Sequence, residues 1–171
     1  VSRAARAWAF AGALCGLVLL ADQASKAAIR DHLVLGERVE VLGPLELTYV
    51  HNKGVAFGLA GGAGVGLVLV TFAALAVVSY LFARNPTRRG MWIAVGLLAG
   101  GALGNLADRI RADAVTDFIH IGSWPAFNVA DVSISAGVIL LVLLYLRDAE
   151  AERKDAKPDA EGEADQGTSG G

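Results

Sequence analysis

Asp117 lies in the stretch AVTDFIHIG and Asp131 in FNVADVSIS. Each is flanked by apolar residues: Phe118 and Ile119 beside the first, Phe127, Val129 and Ala130 beside the second. A lone carboxylate in such surroundings takes up a proton, because burial disfavours the charged form. Two carboxylates close together share one proton instead, with one pKa raised and the other lowered. That state holds a base that can take a proton from water and an acid that can polarise a carbonyl, near neutral pH and without a cofactor. Aspartic-type peptide hydrolysis is therefore the chemistry open to this pair, provided the fold brings them together.

Other chemistries find less support. His32, His51 and His120 are dispersed and Cys15 is the sole cysteine, so neither a metal site nor a disulfide framework is expected. Ser25 and Lys26 are adjacent, and neighbours on a helix do not face each other, which rules out a serine–lysine dyad. Lys26 reads as a side chain that snorkels to the interface. There is no Ser/His/Asp arrangement and no phosphate-binding loop. No cofactor and no nucleic-acid partner are expected.

The elements that must position these residues follow from hydropathy. The chain has 171 residues, 54% of them hydrophobic, and a mean hydropathy of +0.50, too apolar for an ordinary soluble domain. Uncharged runs cover 7–21, 57–83, 91–107 and 132–146. A spanning helix needs roughly 20 mostly apolar residues. The second run meets this alone. The other three reach it only by carrying a polar end: Asp22 and Lys26, Asp108, and Asp131 respectively. Helices are expected near 7–29, 62–83, 91–108 and 128–147. The segment GLLAGGALGNLADR lies in the third of them, where its small residues allow close helix packing. Between the first two helices, ERVEVLGPLELTYV alternates apolar and polar residues around Gly43-Pro44, which reads as two strands about a turn. NKGVAFG follows, with Gly54 and Gly58 permitting tight backbone. Open strands cannot face lipid, so the β region at 34–58 should rest on a membrane face. The fold class expected is a mainly α membrane protein, a four-helix bundle with a small β-sheet on its outer face.

The N-terminal run is read as a retained helix and not a cleaved leader, since Leu14 precedes Cys15 where a small residue would be expected. Arg3 and Arg6, then Arg84, Arg88 and Arg89, then Arg147, Arg153, Lys154 and Lys157 place one set of loops inside. Both termini are thus expected in the cytoplasm. Asp22, Asp108, Asp117 and Asp131 then share the outer face. Residues 148–171, rich in Glu, Asp, Ala and Gly, are expected to be a disordered cytoplasmic tail after a membrane domain of residues 1–147.

Five motifs occur in order up to about Arg147: DQASK (22–26), NKGVAFG (52–58), GGALGNLADR (100–109), VTDF (115–118) and FNVAD (127–131). In these the chain resembles the lipoprotein signal peptidase, or signal peptidase II, family, with Ser25 where Thr is common. The resemblance implies Asp117 and Asp131 as the catalytic pair. It implies Asp22, Lys26, Asn52, Gly54, Phe57, Asn105, Asp108, Arg109 and Asn128 as supporting or substrate-contacting residues. Arg109 is expected to bond outer-loop backbone or Asp22. The implied substrate is a prolipoprotein whose cysteine already carries diacylglycerol, cut just before that cysteine in the bacterial inner membrane. The implied enzyme is a monomer among membrane lipids. The link from Asp117 to Asp131 is short for the family. Two other classes compete on the residues alone. A small transporter would use intramembrane aspartates as proton relays, and would place them at different depths. A non-catalytic scaffold would bind lipoproteins and tolerate Asn at 117 and 131.

Overall fold

The computed structural model describes residues 1–54 and 63–155. Phe57, Gly58 and residues 156–171 of the expected tail lie outside the described residues. Four helices, α1 (Arg3–His32), α2 (Ala63–Arg84), α3 (Met91–Ala112) and α4 (Val129–Asp155), are joined by strands β1 (Arg38–Leu42), β2 (Leu45–Asn52) and β3 (Val115–Ile121). All four helices are long and apolar enough to cross a membrane.

α1, α3 and α4 run longer than expected, for separate reasons, while α2 matches its expected bounds to within one residue. α1 starts at Arg3 because Ser2 caps it, its Oγ accepting from the Ala5 N–H at 3.1 Å. It continues to His32, where the Leu33 N–H still donates to the Ile29 carbonyl at 2.9 Å as the backbone turns extended. α3 runs on to Ala112, where Asp113 turns left-handed (φ 52°) and donates its N–H to the Arg109 carbonyl. α4 reaches Asp155, so residues 148–155 are helical where disorder was expected. Glu, Arg and Lys are good helix formers, and charge alone does not end a helix. Asp148 is also held, 2.7 Å from the Arg88 guanidinium of the α2–α3 link.

α3 is the central helix: 61% of an apolar 18-residue stretch of it is buried, against 6% for the corresponding stretch of α2. Its glycines let the neighbours come close. A Cβ on Gly100 would stand 2.8 Å from the Cys15 carbonyl oxygen of α1, and one on Gly101 2.5 Å from the Ala130 carbonyl oxygen of α4. Ala7, Ala11, Phe82, Met91 and Val95 form an apolar core at the bundle end where α1 begins. Trp8 packs there on Phe82 with ring centroids 4.5 Å apart.

At the other end lies an antiparallel sheet in the order β1-β2-β3. β1 and β2 are the expected hairpin. β3 is an addition to the sequence reading, which gave 115–121 no strand. Its first four residues are all buried, so the alternation that marks a half-exposed strand is missing. β3 pairs with β2 through Val50 opposite Asp117 and Asn52 opposite Val115. After Gly122 the chain doubles back, and Phe127 bridges to Ile119 by bonds of 2.8 and 3.0 Å. The short link between the two aspartates is thus a tight return that sets Asn128 beside the strand it has just left.

Candidate active site

Asn128 is the joint of the site. It is fully buried and stands one residue before α4. Its Oδ1 accepts from the Asp131 N–H at 3.0 Å, while its own N–H donates to Asp131 Oδ2 at 3.2 Å. This reciprocal pair is a capping box, with Asn at the cap and Asp at the third helical position. The side-chain amide of Asn128 faces the other way. Its Nδ2 donates to Asp117 Oδ1 at 2.7 Å. One asparagine therefore holds both aspartates, Asp131 by its backbone and carbonyl, Asp117 by its amide.

Each carboxylate has a second donor. Asn52 Nδ2 donates to Asp117 Oδ2 at 2.9 Å, and Asn105 Nδ2 to Asp131 Oδ1 at 2.8 Å. Asn52 is itself oriented, because its Oδ1 accepts from the Gly54 N–H at 2.9 Å. That turn requires glycine: Gly54 has φ +70°, and a Cβ there would stand 2.5 Å from Leu67 Cδ1. The Asp117 carboxyl is raised from 3.8 to about 6. Burial is the main cause and the charge of Asp131 adds to it, while the Asn52 and Asn128 amides and Lys26 pull the other way.

Behind the pair lies a second buried cluster. Lys26 is not a snorkelling side chain: it is fully buried. Its Nζ meets Asp22 Oδ2 at 2.9 Å, Asp108 Oδ2 at 3.2 Å and Asn105 Oδ1 at 2.9 Å. Snorkelling was the expectation for an isolated lysine near a helix end. Two carboxylates within reach hold the cation inside instead. Lys26 occupies the carbonyl side of Asn105, which turns the amide side toward Asp131. Asp22 Oδ1 accepts from the Ala130 N–H at 2.9 Å, so α1 caps α4. Asp108 Oδ2 accepts from the Thr116 N–H at 3.0 Å, tying α3 to β3.

Among the described residues Arg109 does not reach Asp22, and its Nη1 bond is a long one of 3.5 Å to the Asn105 carbonyl in its own helix; the outer-loop segment 55–62 lies outside the described residues. Arg109 is half-buried, with its charge within reach of Asp131, Asp117 and Asp108. Gln23 was missed. Its Nε2 bonds Asp22, Asp108 and the Gly104 carbonyl, and its Oε1 accepts from Arg111. Its place inside DQASK was the available signal. Ser25 donates to the Asp22 carbonyl and faces away from Lys26.

Asp131 opens on a groove of about 410 Å³ lined by Trp124, Phe127, Val132, Ser135, Ala136 and Ile139. Val132, Ser135, Ala136 and Ile139 lie along one face of α4. An apolar channel with a carboxylate at its head can seat a hydrophobic segment and present a peptide bond at its end.

The model of the Signal peptidase (SPase) II family matches residues 14–147. The chain belongs to that family. A lipoprotein signal peptidase of Pelotomaculum thermopropionicum is 42% identical over 144 residues, covering 82% of this chain and 94% of the relative. One from Moorella thermoacetica is 45% identical over 144 residues, covering 81% and 94%. A solved bacterial membrane enzyme, determined by the in meso method at 1.9 Å resolution, superposes with a TM-score of 0.76 at 33% identity, covering 81% of this chain and 93% of that one. This member of the signal peptidase II family is accordingly a peptidase and a multi-pass membrane protein. A transport pathway is not favoured. Asp22, Asp108, Asp117 and Asp131 meet at one bundle end, and α2 carries no acidic residue.

Proposed function

We propose that Asp117 and Asp131 are the catalytic pair of an aspartic endopeptidase that removes the signal peptide from lipoprotein precursors. The observation that carries this reading is Asn128, which bonds both carboxylates at once at 2.7 and 3.2 Å. Sharing one proton, the pair supplies a base for the attacking water and an acid for the scissile carbonyl. The apolar groove along α4 supports a membrane-helical signal peptide as substrate. The diacylglyceryl cysteine, lying just after the cut, remains anchored in the same leaflet.

Asp22, Lys26, Asn105, Asp108 and Asn128 position the pair, and Asn52 and Gly54 close it from the β2 side. Arg109 and Phe57 contact substrate. The basic residues of the α1 start, the α2–α3 link and the α4 end support an inner-membrane orientation with both termini cytoplasmic and the site at the outer face.

The test is gel-shift cleavage of a lipidated prolipoprotein in detergent, with pull-down of uncut substrate. Asp117→Asn and Asp131→Asn should each lose roughly 10²–10⁴-fold in turnover while retaining substrate. Near-normal turnover by either variant would overturn the assignment and favour a binding scaffold.

A further inference from the structure

The bundle end opposite the aspartates holds a cavity of about 440 Å³, within the range of roughly 300–1,000 Å³ usual for small-ligand sites. Four arginines line it from two separate elements: Arg3 and Arg6 from the first turns of α1, Arg88 and Arg89 from the α2–α3 link. Phe10 and Trp92 form its wall, with ring centroids 5.5 Å apart. We propose that this cavity binds the phosphate of an anionic phospholipid headgroup, with the acyl chains leaving along Phe10 and Trp92.

Among the described residues Arg3, Arg6 and Arg89 have no carboxylate partner. Arg88 is engaged elsewhere through one nitrogen. Its Nη2 donates to the Leu144 carbonyl and Asp148, and its guanidinium lies 4.1 Å from the Tyr145 ring centroid. Its Nε is nevertheless buried without an acceptor. Like charges drawn together around a cavity repel, and an anion between them turns that repulsion into attraction. Guanidinium forks match phosphate oxygens two at a time, and the start of α1 adds the positive end of a helix dipole. The positive-inside rule accounts for an excess of arginine at this face. It does not account for their convergence, from residues far apart in the chain, on one cavity with an aromatic exit. Basic pockets between spanning helices bind anionic headgroups in just this setting. Phe10 is 55% exposed, which leaves its ring free to meet acyl chains leaving the cavity.

Native mass spectrometry of the detergent-purified full chain, titrated with phosphatidylglycerol or with phosphatidylcholine, tests the proposal. The anionic lipid should be retained at least tenfold more tightly than the zwitterionic one. Each arginine removed should cost about fivefold, so the triple variant Arg3→Gln, Arg6→Gln, Arg89→Gln should lose about a hundredfold. The control triple Arg147→Gln, Arg153→Gln, Lys154→Gln removes the same charge from α4, outside the cavity, and should leave retention unchanged. If the first triple does not purify, Arg89→Gln alone must still show its fivefold loss. Equal losses in both triples, or equal retention of the two lipids, would reduce the effect to surface charge and overturn the proposal. Displacement of the lipid by millimolar inorganic phosphate would make the cavity a small-anion site. Lipid retention that appears only after removal of residues 156–171 would make the acidic tail the occupant. Either result also overturns the proposal.

Discussion

Asp117 and Asp131 accept from amide and backbone N–H groups through all four of their oxygens. An Asn at either position must therefore point an NH₂ at a donor, losing a hydrogen bond worth about 1 kcal/mol. The substitution is less innocent structurally than its shape suggests. The pH profile offers a milder probe. Asp117 holds its proton below about pH 6 and loses it above. If the singly protonated pair is the active form, kcat/KM, which reports the free enzyme, falls as pH rises through that value. Asn52 donates to the charged form and lowers this pKa. Asn52→Ala should move the alkaline limb of kcat/KM to higher pH. A limb that stays in place would mean that the profile reports another group.

Among elements, the decisive contact is α1 against α3 and α4 at Gly104. A Cβ there would stand 2.5 Å from Asp22 Oδ2, the oxygen that holds Lys26. Asp22 also caps α4 through the Ala130 N–H, so displacing it disturbs the helix start that carries Asp131. Gly104→Ala should lower the melting temperature by roughly 5–10 °C, as overpacking by about 1–3 kcal/mol implies, and should depress turnover as well. Gly12→Ala is the matched control, because a Cβ at Gly12 meets nothing within 4 Å. A Gly104→Ala protein as stable and as active as Gly12→Ala would show that the Asp22 cluster does not set the geometry of the pair.

Viewed as a whole, the bundle separates its tasks by end. Buried carboxylates, asparagines and the sheet occupy one end, and an apolar core with arginines around it occupies the other. This polarity suits an enzyme whose substrate is itself a membrane helix cut at one interface. It also makes the orientation testable. Ala112, at the exposed close of α3, and Arg89, in the exposed α2–α3 link, lie at opposite ends. In intact cells an impermeant thiol reagent should label Ala112→Cys and spare Arg89→Cys. The reverse pattern would invert the topology.

The four spans, the β1–β2 hairpin and the two candidate acids were legible in the chain because each is a local signal. Run length marks a span, period-two alternation marks a half-exposed strand, and an acid among apolar residues stands out wherever it occurs. Tertiary structure alone decided the rest. β3 is buried along its first half and shows no alternation. Lys26 looks like an interfacial lysine until Asp108 and Asn105 of α3 close around it. Arg109 does not reach Asp22 but bonds, among the described residues, within its own helix, since Lys26, Gln23 and the Ala130 N–H already occupy that carboxylate. The N-x-x-D spacing of the capping box is local to FNVAD. What no local pattern could supply was the other half of Asn128, its amide turned onto Asp117, because that bond exists only once Phe127 has folded back on Ile119. Local chemistry chooses the residues, and contacts between distant segments choose which of their atoms meet.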